Sequence, residues 1–291
     1  MSHLDVEAVA QELMSAFKTG AMVDKPPSAR PGFDLNTAYE VEGALKHFRE
    51  ADGHRSVGRK VGYANKGMWR VLKLETLVWA HMYDDTVHYA EGNSSTLTLP
   101  HPRSLKIEPE IVFGLKQPIV IDTDTDGAQV PDAATALAST EWLAMGFEII
   151  DCPFPEWQFQ PSDFVASFGL HAALVIGERV ALRSNESRSN ERADQVAALA
   201  EELAQFKVRV SKNGQFVEEG SGRNSLRSPA LCLAELSRAV VRRFPSEPLR
   251  RGEIVSSGTL TAGHPTSRGD RWTVEVEGLS LGLPTLTLQL N

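Results

Sequence analysis

The most informative segment of the chain reads Lys106-Ile107-Glu108-Pro109-Glu110-Ile111-Val112-Phe113 and sets two acids two positions apart in a run of β-forming residues. Residues i and i+2 of a strand point to the same face, so Glu108 and Glu110 are expected side by side. Their apolar neighbours predict a partly buried face, where two like charges repel and lose solvation. A hard divalent cation such as Mg²⁺ or Mn²⁺ would relieve both costs, because it prefers carboxylate oxygens. The alternative is an exposed strand face with two solvated acids, although Pro109 favours an edge or irregular position.

The composition indicates an ordinary globular protein. The 291 residues are 42% hydrophobic and 23% charged, with a formal net charge of −8. This negative charge argues against a nucleic-acid or anionic-membrane partner. The two cysteines, Cys152 and Cys232, lack metal-type spacing and are interpreted as free thiols of a reducing compartment. The polar N-terminus does not resemble a signal peptide and no apolar run is long enough for a bilayer, so we expect a cytoplasmic protein.

Two amphipathic helices are predicted before the first strand. Apolar residues recur at helical spacing over residues 4–19 and again over residues 36–52, and a Pro/Gly-rich loop separates the two segments. From about residue 56 the patterns are mostly those of strands, with helices between them. We therefore expect residues 1–55 to form a helical N-terminal cap and residues 56–291 to form a β-rich main domain.

Two further segments carry candidate functional groups. Glycines flank two bases in Gly58-Arg59-Lys60-Val61-Gly62, and strand glycines allow a ligand or another backbone to approach closely. A lysine enclosed there would lose proton affinity and suit acid–base chemistry; the alternative is a bent strand with solvated bases. Residues 79–88 contain two His and two Asp, but their spacing fits no standard zinc site. We prefer one of these aspartates as a polar active-site residue.

A third buried acid is predicted downstream. A helix is expected from Asp132 to about Met145, followed by the strand Gly146–Asp151, in which bulky apolar residues flank Glu148. This glutamate is the natural third carboxylate beside the first two. The turn at 122–127 partly matches a calcium loop but has no acid at the twelfth position, so we interpret it as a solvated loop. Farther on, the Ala-Ser pair that ends at Ser167 predicts either a backbone packed against a ligand or a tight turn.

Six segments taken in order carry a family resemblance. They are Gly58–Gly62, Met82–Asp85, Ile107–Phe113, Phe147–Asp151, Ala166–Gly169 and Leu249–Gly258. Together they resemble the 2-keto-4-pentenoate hydratase / 2-oxohept-3-enedioate hydratase group of the fumarylacetoacetate hydrolase (FAH) superfamily, over residues 35–290. The resemblance implies an α+β fold, in which an FAH-like mixed β-roll or barrel has flanking helices and a small helical N-terminal region.

The resemblance also implies the residues of an active site. The metal ligands would be three carboxylates, those of Glu108, Glu110 and Glu148, around Mg²⁺ or Mn²⁺. The catalytic groups would be Lys60, Asp85 and Ser167, and the substrate would be held by Ser167 and Thr259. The chain departs from the family pattern just before the serine segment and just after the lysine strand, and His171 has no counterpart. We therefore expect differences in the distal half of the substrate site.

The implied activity is that of a metal-dependent hydratase. It would add water to a 2-hydroxy-2,4-dienoate, the tautomer of a 2-oxo-enoate, and give a 4-hydroxy-2-oxo acid in the meta-cleavage catabolism of aromatic compounds. One alternative is a decarboxylase of the 4-oxalocrotonate type, whose second substrate carboxylate could meet Arg70 or Arg223. Another is an acylpyruvate hydrolase, for which His47 and Glu50 would be the water-activating pair. The last is a non-catalytic oxo-acid binder. The resemblance further implies a homo-oligomer that associates with a pathway aldolase or decarboxylase.

Overall fold

The computed structural model describes residues 4–98, 101, 103–121, 130–182 and 189–291. Within these ranges the helices are α1 (Val6–Thr19), α2 (Leu35–Ala51), α3 (Lys66–Leu72), α4 (Ala133–Ala138), α5 (Pro161–Ala166), α6 (Ser189–Gln205) and α7 (Pro229–Arg243). The first eight strands are β1 (Ser56–Gly62), β2 (Val78–Tyr83), β3 (Val87–Tyr89), β4 (Ser94–Leu97), β5 (Leu105–Leu115), β6 (Thr140–Asp151), β7 (His171–Ile176) and β8 (Val180–Ala181). The remaining six are β9 (Lys207–Lys212), β10 (Gln215–Ser221), β11 (Ile254–Thr259), β12 (His264–Thr266), β13 (Arg271–Glu277) and β14 (Leu286–Leu290).

The two predicted N-terminal helices are confirmed. Helix α1 begins after Asp5, whose carboxylate accepts a hydrogen bond from the Ala8 N–H at 3.0 Å, and Asp34 caps α2 in the same way. Helix α1 ends at Gly20, which has a φ of 74°. The buried faces of both helices join the same hydrophobic core as the strands. The division into a cap and a main domain at residue 55 stays a prediction.

Two sheets form the body of the protein. The main sheet has the order β2-β1-β11-β5-β6-β7-β3, with β12 attached to β5 and β8 to β6. The second sheet has the order β10-β9-β13-β14-β4. Strands β5 and β6 form a long antiparallel pair at the centre of the main sheet, and their alternating side chains project to its two faces. This pair positions all three predicted metal ligands.

The helix predicted from Asp132 to Met145 is wrong over its second half. Asp132 does cap a helix, since its carboxylate accepts from the Thr135 N–H at 2.7 Å, but α4 ends at Ala138 and β6 begins at Thr140. The next residues pair with β5 over a long register, and this sheet pairing outweighs the helical propensity of the Ala- and Met-containing segment. The strand predicted from Gly146 is therefore longer than expected. The predicted loop at 122–127 lies outside the described residues.

Two other features agree with the sequence patterns. The hairpin predicted around Asn213-Gly214 is confirmed: β9 and β10 pair on either side of these residues, which have φ values of 53° and 78°. Helix α7 begins at Pro229, as predicted. Among the described helices, none combines the length and apolar character that crossing a bilayer requires.

Candidate active site

Three carboxylates meet on one face of the β5–β6 pair. Glu108 and Glu110 project from the same side of β5, and Glu148 lies directly opposite Glu108 on β6. One oxygen from each carboxylate lies within 4.8 Å of the others. Glu110 is 1% exposed and Glu148 is fully buried. The structure therefore brings together the three acids that the sequence predicts as metal ligands.

Lys60 reaches this cluster from strand β1. Its Nζ lies 2.8 Å from Oε2 of Glu148, and the residue is 2% exposed. The ammonium also lies 5.0 Å from the ring centroid of Phe164, in cation–π geometry. Gly62 permits this packing, because a Cβ there would lie 2.3 Å from the Phe164 ring. Gly62 is thus required by the close approach of the Phe164 ring to strand β1.

Lys60 and the three glutamates strongly affect one another's pKa values. Burial raises the pKa of Glu108 to about 7, and burial together with the Glu148 carboxylate raises the pKa of Glu110 well above its ordinary value. For Glu148 burial acts in the same direction, but the Lys60 ammonium outweighs it and lowers the pKa. Burial would lower the pKa of Lys60, yet the three carboxylates hold it above its ordinary value. Lys60 is accordingly a buried cation, and not the weakly basic lysine that burial alone would produce.

This donor set fits a divalent cation. Oε2 of Glu110 accepts from the Gly258 N–H at 2.9 Å and from the Ser256 hydroxyl, whereas its buried Oε1 has no hydrogen-bond partner among the described residues. Three carboxylates and one ammonium carry a formal charge of −3 + 1 = −2, which one divalent cation neutralises. Oxygen-only ligands suit Mg²⁺ or Mn²⁺. These residues fit the metal that the sequence resemblance implies.

His171 supports the cluster from the opposite side. Its Nδ1 lies 2.9 Å from Oε1 of Glu148, and its Nε2 lies 3.0 Å from the hydroxyl of Thr86. The histidine is 3% exposed. No role for His171 was predicted from the sequence, although its position at the start of an apolar strand, after an acid-bearing segment, was an available signal. In the structure it fixes the orientation of the Glu148 carboxylate.

A cavity of about 740 Å³ opens onto these groups. Lys60 and Glu108 lie in its wall together with Thr259, the predicted substrate contact. Thr259 is paired in register with Glu110, and its Oγ1 donates to the Thr261 carbonyl at 3.0 Å. Phe159 contributes an apolar part of the wall. The cavity has the size of a small-molecule site.

The structure does not bring Asp85 and Ser167 to this cavity. Both line a second cavity of about 660 Å³, bordered by α1, α2 and the start of β7. Strand β2 ends at Tyr83, so Asp85 lies beyond it and pairs with Arg49, whereas Lys60 pairs in register with Ala80 in the middle of β2. The Ser167 hydroxyl donates to the Asp163 carbonyl at 2.6 Å. Their catalytic roles stay predictions, and no described contact joins either residue to Lys60.

A second group of possible metal ligands consists of His54, Asp84 and Asp85. His54 Nδ1 lies 3.4 Å from Asp84 and 3.6 Å from Asp85. Arg49 pairs with Asp85 and Arg55 lies 3.4 Å from Asp84, so guanidinium groups already compensate both carboxylates. This arrangement is that of a surface ion-pair network.

Of the residues predicted for the decarboxylase and hydrolase alternatives, one lies at the cavity that contains Lys60. The exposed side chains of His47 and Glu50 are absent from the wall of the 740 Å³ cavity, and so is that of Arg70. Arg223, in contrast, lies in that wall, and so does Arg227, which the sequence did not single out.

The fold and the site together define a protein with an FAH-like architecture and a three-carboxylate centre.

Comparison with known sequences confirms the resemblance to the hydratase group. The chain is 27% identical over 274 residues to the 2-hydroxyhexa-2,4-dienoate hydratase of Comamonas testosteroni, with 94% of each chain covered. It is 26% identical over 275 residues to the 2-keto-4-pentenoate hydratase of Paraburkholderia phymatum, again with 94% coverage of both. No protein-family model matches the chain.

Comparison with solved structures confirms the predicted fold class. The 4-oxalocrotonate decarboxylase of Pseudomonas putida G7, complexed with magnesium and adipate, superposes with a TM-score of 0.81 at 22% identity, over 99% of both chains. The fumarylpyruvate hydrolase of Pseudomonas aeruginosa, in complex with Mn²⁺ and pyruvate, superposes with a TM-score of 0.55 at 16% identity, over 80% of this chain and 88% of that one. Both similarities concern the fold, and both solved proteins carry a divalent metal.

Proposed function

We propose that this protein is a metal-dependent hydratase that converts a 2-hydroxy-2,4-dienoate to a 4-hydroxy-2-oxo acid. The observation that carries the proposal is the cluster of Glu108, Glu110 and Glu148, in which Glu148 is ion-paired with Lys60, and from which Glu108 and Lys60 line the 740 Å³ cavity. The hydratase names of its relatives support the same reaction. The three glutamates would hold Mg²⁺ or Mn²⁺.

A divalent cation held by these glutamates would supply Lewis acidity toward the 2-oxygen of the substrate. The protein's own residues supply the proton and the geometry. Lys60 lies in the cavity wall with its Nζ 2.8 Å from Glu148, and we assign to this Nζ the transfer of the proton to the carbon chain. Thr259 and Phe159 hold the substrate along the cavity wall. The net reaction adds one water: C4 gains the hydroxyl, C3 and C5 each gain a proton, and the 2-hydroxyl loses a proton as it becomes the 2-oxo group.

We assign Asp85 no part in this proton transfer. Its carboxylate is paired with Arg49 and faces the second cavity, whereas the transferred proton must be within hydrogen-bond reach of the substrate. We likewise assign Ser167 no contact with the substrate, since it lines the second cavity. Proton transfer is therefore assigned to Lys60, and substrate contact to Thr259.

The test is an ultraviolet assay with 2-hydroxypenta-2,4-dienoate and its six-carbon dicarboxylic analogue. We expect loss of the dienol with Mg²⁺ or Mn²⁺, none with a chelator, and a product heavier by one water. Glu110→Gln should abolish metal binding, because it removes a charge that the cation needs. Lys60→Met should keep metal binding and lower kcat by about 10²–10⁴-fold, the usual contribution of a general acid or base. Glu141→Gln, an exposed acid on the same strand β6, is the control. Normal turnover by Glu110→Gln would refute the proposal.

A decarboxylase is the second candidate function. The structural similarity to the 4-oxalocrotonate decarboxylase, which covers 99% of both chains, favours it. The same cluster would serve both reactions, because both stabilise negative charge on the 2-oxygen. Mass analysis of the product separates them: a hydratase product gains one water, and a decarboxylase product loses carbon dioxide. A cytoplasmic location, a homo-oligomer and association with a pathway aldolase or decarboxylase complete the proposal.

A further inference from the structure

A small cavity of about 250 Å³ lies behind strand β1, on the face opposite to Lys60. Neighbouring residues of a strand point to opposite faces, so Arg59 projects away from the metal cluster that Lys60 contacts. Arg59 pairs in register with His81 on β2 and with Val255 on β11. Arg59 and His81 both line the cavity, together with residues of α2 and of the segment before β11.

Arg59 is a buried cation that its neighbours compensate only in part. The residue is 3% exposed, and a guanidinium stays charged in a protein. Its Nη1 lies 3.3 Å from one oxygen of Glu253 and donates to the Gly58 carbonyl at 3.3 Å. Its buried Nε has no hydrogen-bond partner among the described residues. Because a buried charge is costly unless it is paired and hydrogen-bonded, Arg59 favours an anion in this cavity.

His81 presents a second buried polar atom to the same cavity. The residue is 3% exposed, and its Nδ1 contacts the Glu42 carboxylate, which can only accept, so Nδ1 carries a proton. Its Nε2 is buried and has no hydrogen-bond partner in the part of the chain that the structure describes. This nitrogen donates when the ring is protonated and accepts when the ring is neutral. A ligand that offers both acceptor oxygens and a hydroxyl proton satisfies it in either form.

The wall of the cavity carries a positive charge. Four cations and three acids line it, so its formal charge is 4 − 3 = +1 without His81; they are Lys46, Arg55, Arg59 and Arg250, and Glu50, Glu247 and Glu253. Two of the acids already have partners, since Glu247 accepts from the Lys46 ammonium at 2.9 Å and Glu253 from the Arg250 N–H at 3.1 Å. The exposed guanidinium of Arg250 forms no ion pair with an acid of the described residues. A protein with a net charge of −8 thus has a local cationic cavity.

We propose that this cavity binds one inorganic phosphate ion, held by the guanidinium groups of Arg59 and Arg250. The planar guanidinium fork matches two oxygens of a phosphate with parallel hydrogen bonds. Hydrogen phosphate also carries the hydroxyl that His81 Nε2 can accept from. Since a water molecule occupies about 30 Å³ in the liquid, the cavity has room for a tetrahedral oxyanion and several waters, but not for a cofactor.

A phosphate at this position would hold three strands together. It would contact the ladder formed by β1, β2 and β11, directly behind the residue that follows Arg59 and enters the metal cluster. A ligand that binds the folded chain and not the unfolded chain raises the unfolding temperature. We therefore expect phosphate to stabilise the protein, whichever reaction the active site performs.

The experiment is calorimetric titration of the whole protein with inorganic phosphate, in the presence of chelator and with the ionic strength held constant by sodium chloride. The test variants are Arg59→Gln, at the buried end of the cavity, and Arg250→Glu, on its exposed side. Arg251→Glu is the matched control, because this exposed arginine is the next residue, undergoes the same change of charge and is absent from the cavity wall. A double variant, Arg223→Gln with Arg227→Gln, tests binding at the 740 Å³ cavity instead. The unfolding temperature of every variant is measured with and without phosphate.

The expected result is one phosphate per chain in the wild type, in Arg251→Glu and in the double variant. Loss of a hydrogen bond to a charged group should weaken this binding at least tenfold in Arg59→Gln and in Arg250→Glu. If Arg59→Gln does not fold, Arg250→Glu decides, because an exposed substitution leaves the core intact. No binding in the wild type, equal affinity in Arg250→Glu and Arg251→Glu, or a loss confined to the double variant would overturn the inference. A rise in unfolding temperature that all variants share is the general effect of an excluded anion and also counts against the site.

Discussion

Replacement of His171 tests whether the metal centre depends on a residue that does not touch the metal. His171 joins Oε1 of Glu148 to the Thr86 hydroxyl, at 2.9 Å and 3.0 Å, in a fully buried environment. His171→Leu removes both contacts and roughly keeps the volume. His171→Asn places an amide nitrogen near the position of Nδ1 and should keep the contact with Glu148. Thr86→Val removes only the outer contact, with almost no change in shape.

The size of the effect follows from the contact that is lost. A hydrogen bond to a buried charged group contributes about 1.5–3 kcal/mol, and each 1.4 kcal/mol is a factor of ten in affinity. Supporting residues that orient a metal ligand typically contribute 10–100-fold in metal affinity. We therefore expect His171→Leu to weaken Mn²⁺ binding by about 10–100-fold. His171→Asn should remain within a few-fold of the wild type, and Thr86→Val should lie between the two.

The assay is calorimetric titration of the metal-free protein with Mn²⁺, accompanied by the unfolding temperature with chelator. A purely structural role would lower the unfolding temperature of His171→Leu and leave the metal affinity of the folded protein unchanged. A positioning role lowers the affinity and is rescued by Asn. Wild-type affinity in His171→Leu would refute the reasoning, and so would an equal loss in Leu and Asn.

Three further predictions concern the fold and the metal. Gly62→Ala should reduce the free energy of unfolding by about 1–3 kcal/mol, because the new Cβ meets the Phe164 ring; urea denaturation measures this, and Gly43→Ala, with open space around it, should not be destabilised. Burial opposes ionisation of Glu42, but the His81 imidazole outweighs burial and lowers the pKa of this carboxyl. Its stabilisation is therefore present above pH 4.5 and is lost as the pH falls further, and Glu42→Gln should flatten that decline in acid denaturation. Mg²⁺ should raise the unfolding temperature of the wild type but not of Glu110→Gln, and an equal rise in both would contradict the assigned site.

The metal cluster could be predicted from the sequence because its geometry is local. The two-residue period of a strand sets Glu108 beside Glu110 wherever the strand lies. Glu148 could be predicted as the third ligand because the apolar residues around it indicated a buried strand, which had only to lie next to β5. Lys60 was found through its flanking glycines. In each case a short pattern carried the information, and the long-range pairing of β5 with β6 then aligned the pieces.

The parts that the sequence did not reveal depend on long-range packing. Asp85 follows a promising motif, but its side chain is directed by Arg49, a residue 36 positions earlier on another element. Arg227 has no distinctive neighbours in the sequence, and long-range hydrogen bonds from Leu226 to Ala64 and from Asn224 to Leu260 bring its segment to the cavity. The second half of the helix predicted after Asp132 is a strand because β5 pairs with it. Local propensity cannot report any of these contacts.

The strand order of the main sheet bears on how the site assembles. Strand β11, near the end of the chain, is inserted between β1 and β5, which come much earlier. Lys60 and the glutamate pair cannot reach their final spacing until β11 has joined both neighbours, one in parallel and one in antiparallel pairing. Such non-local closure is slow, since the entropy of a long loop is lost before the contacts form. A nascent chain that lacks the last 40 or so residues would expose two unpaired strand edges, which are prone to aggregate. We therefore expect the approach of Lys60 to the glutamates to be among the last contacts to form, whereas the three glutamates come together as soon as β5 and β6 pair.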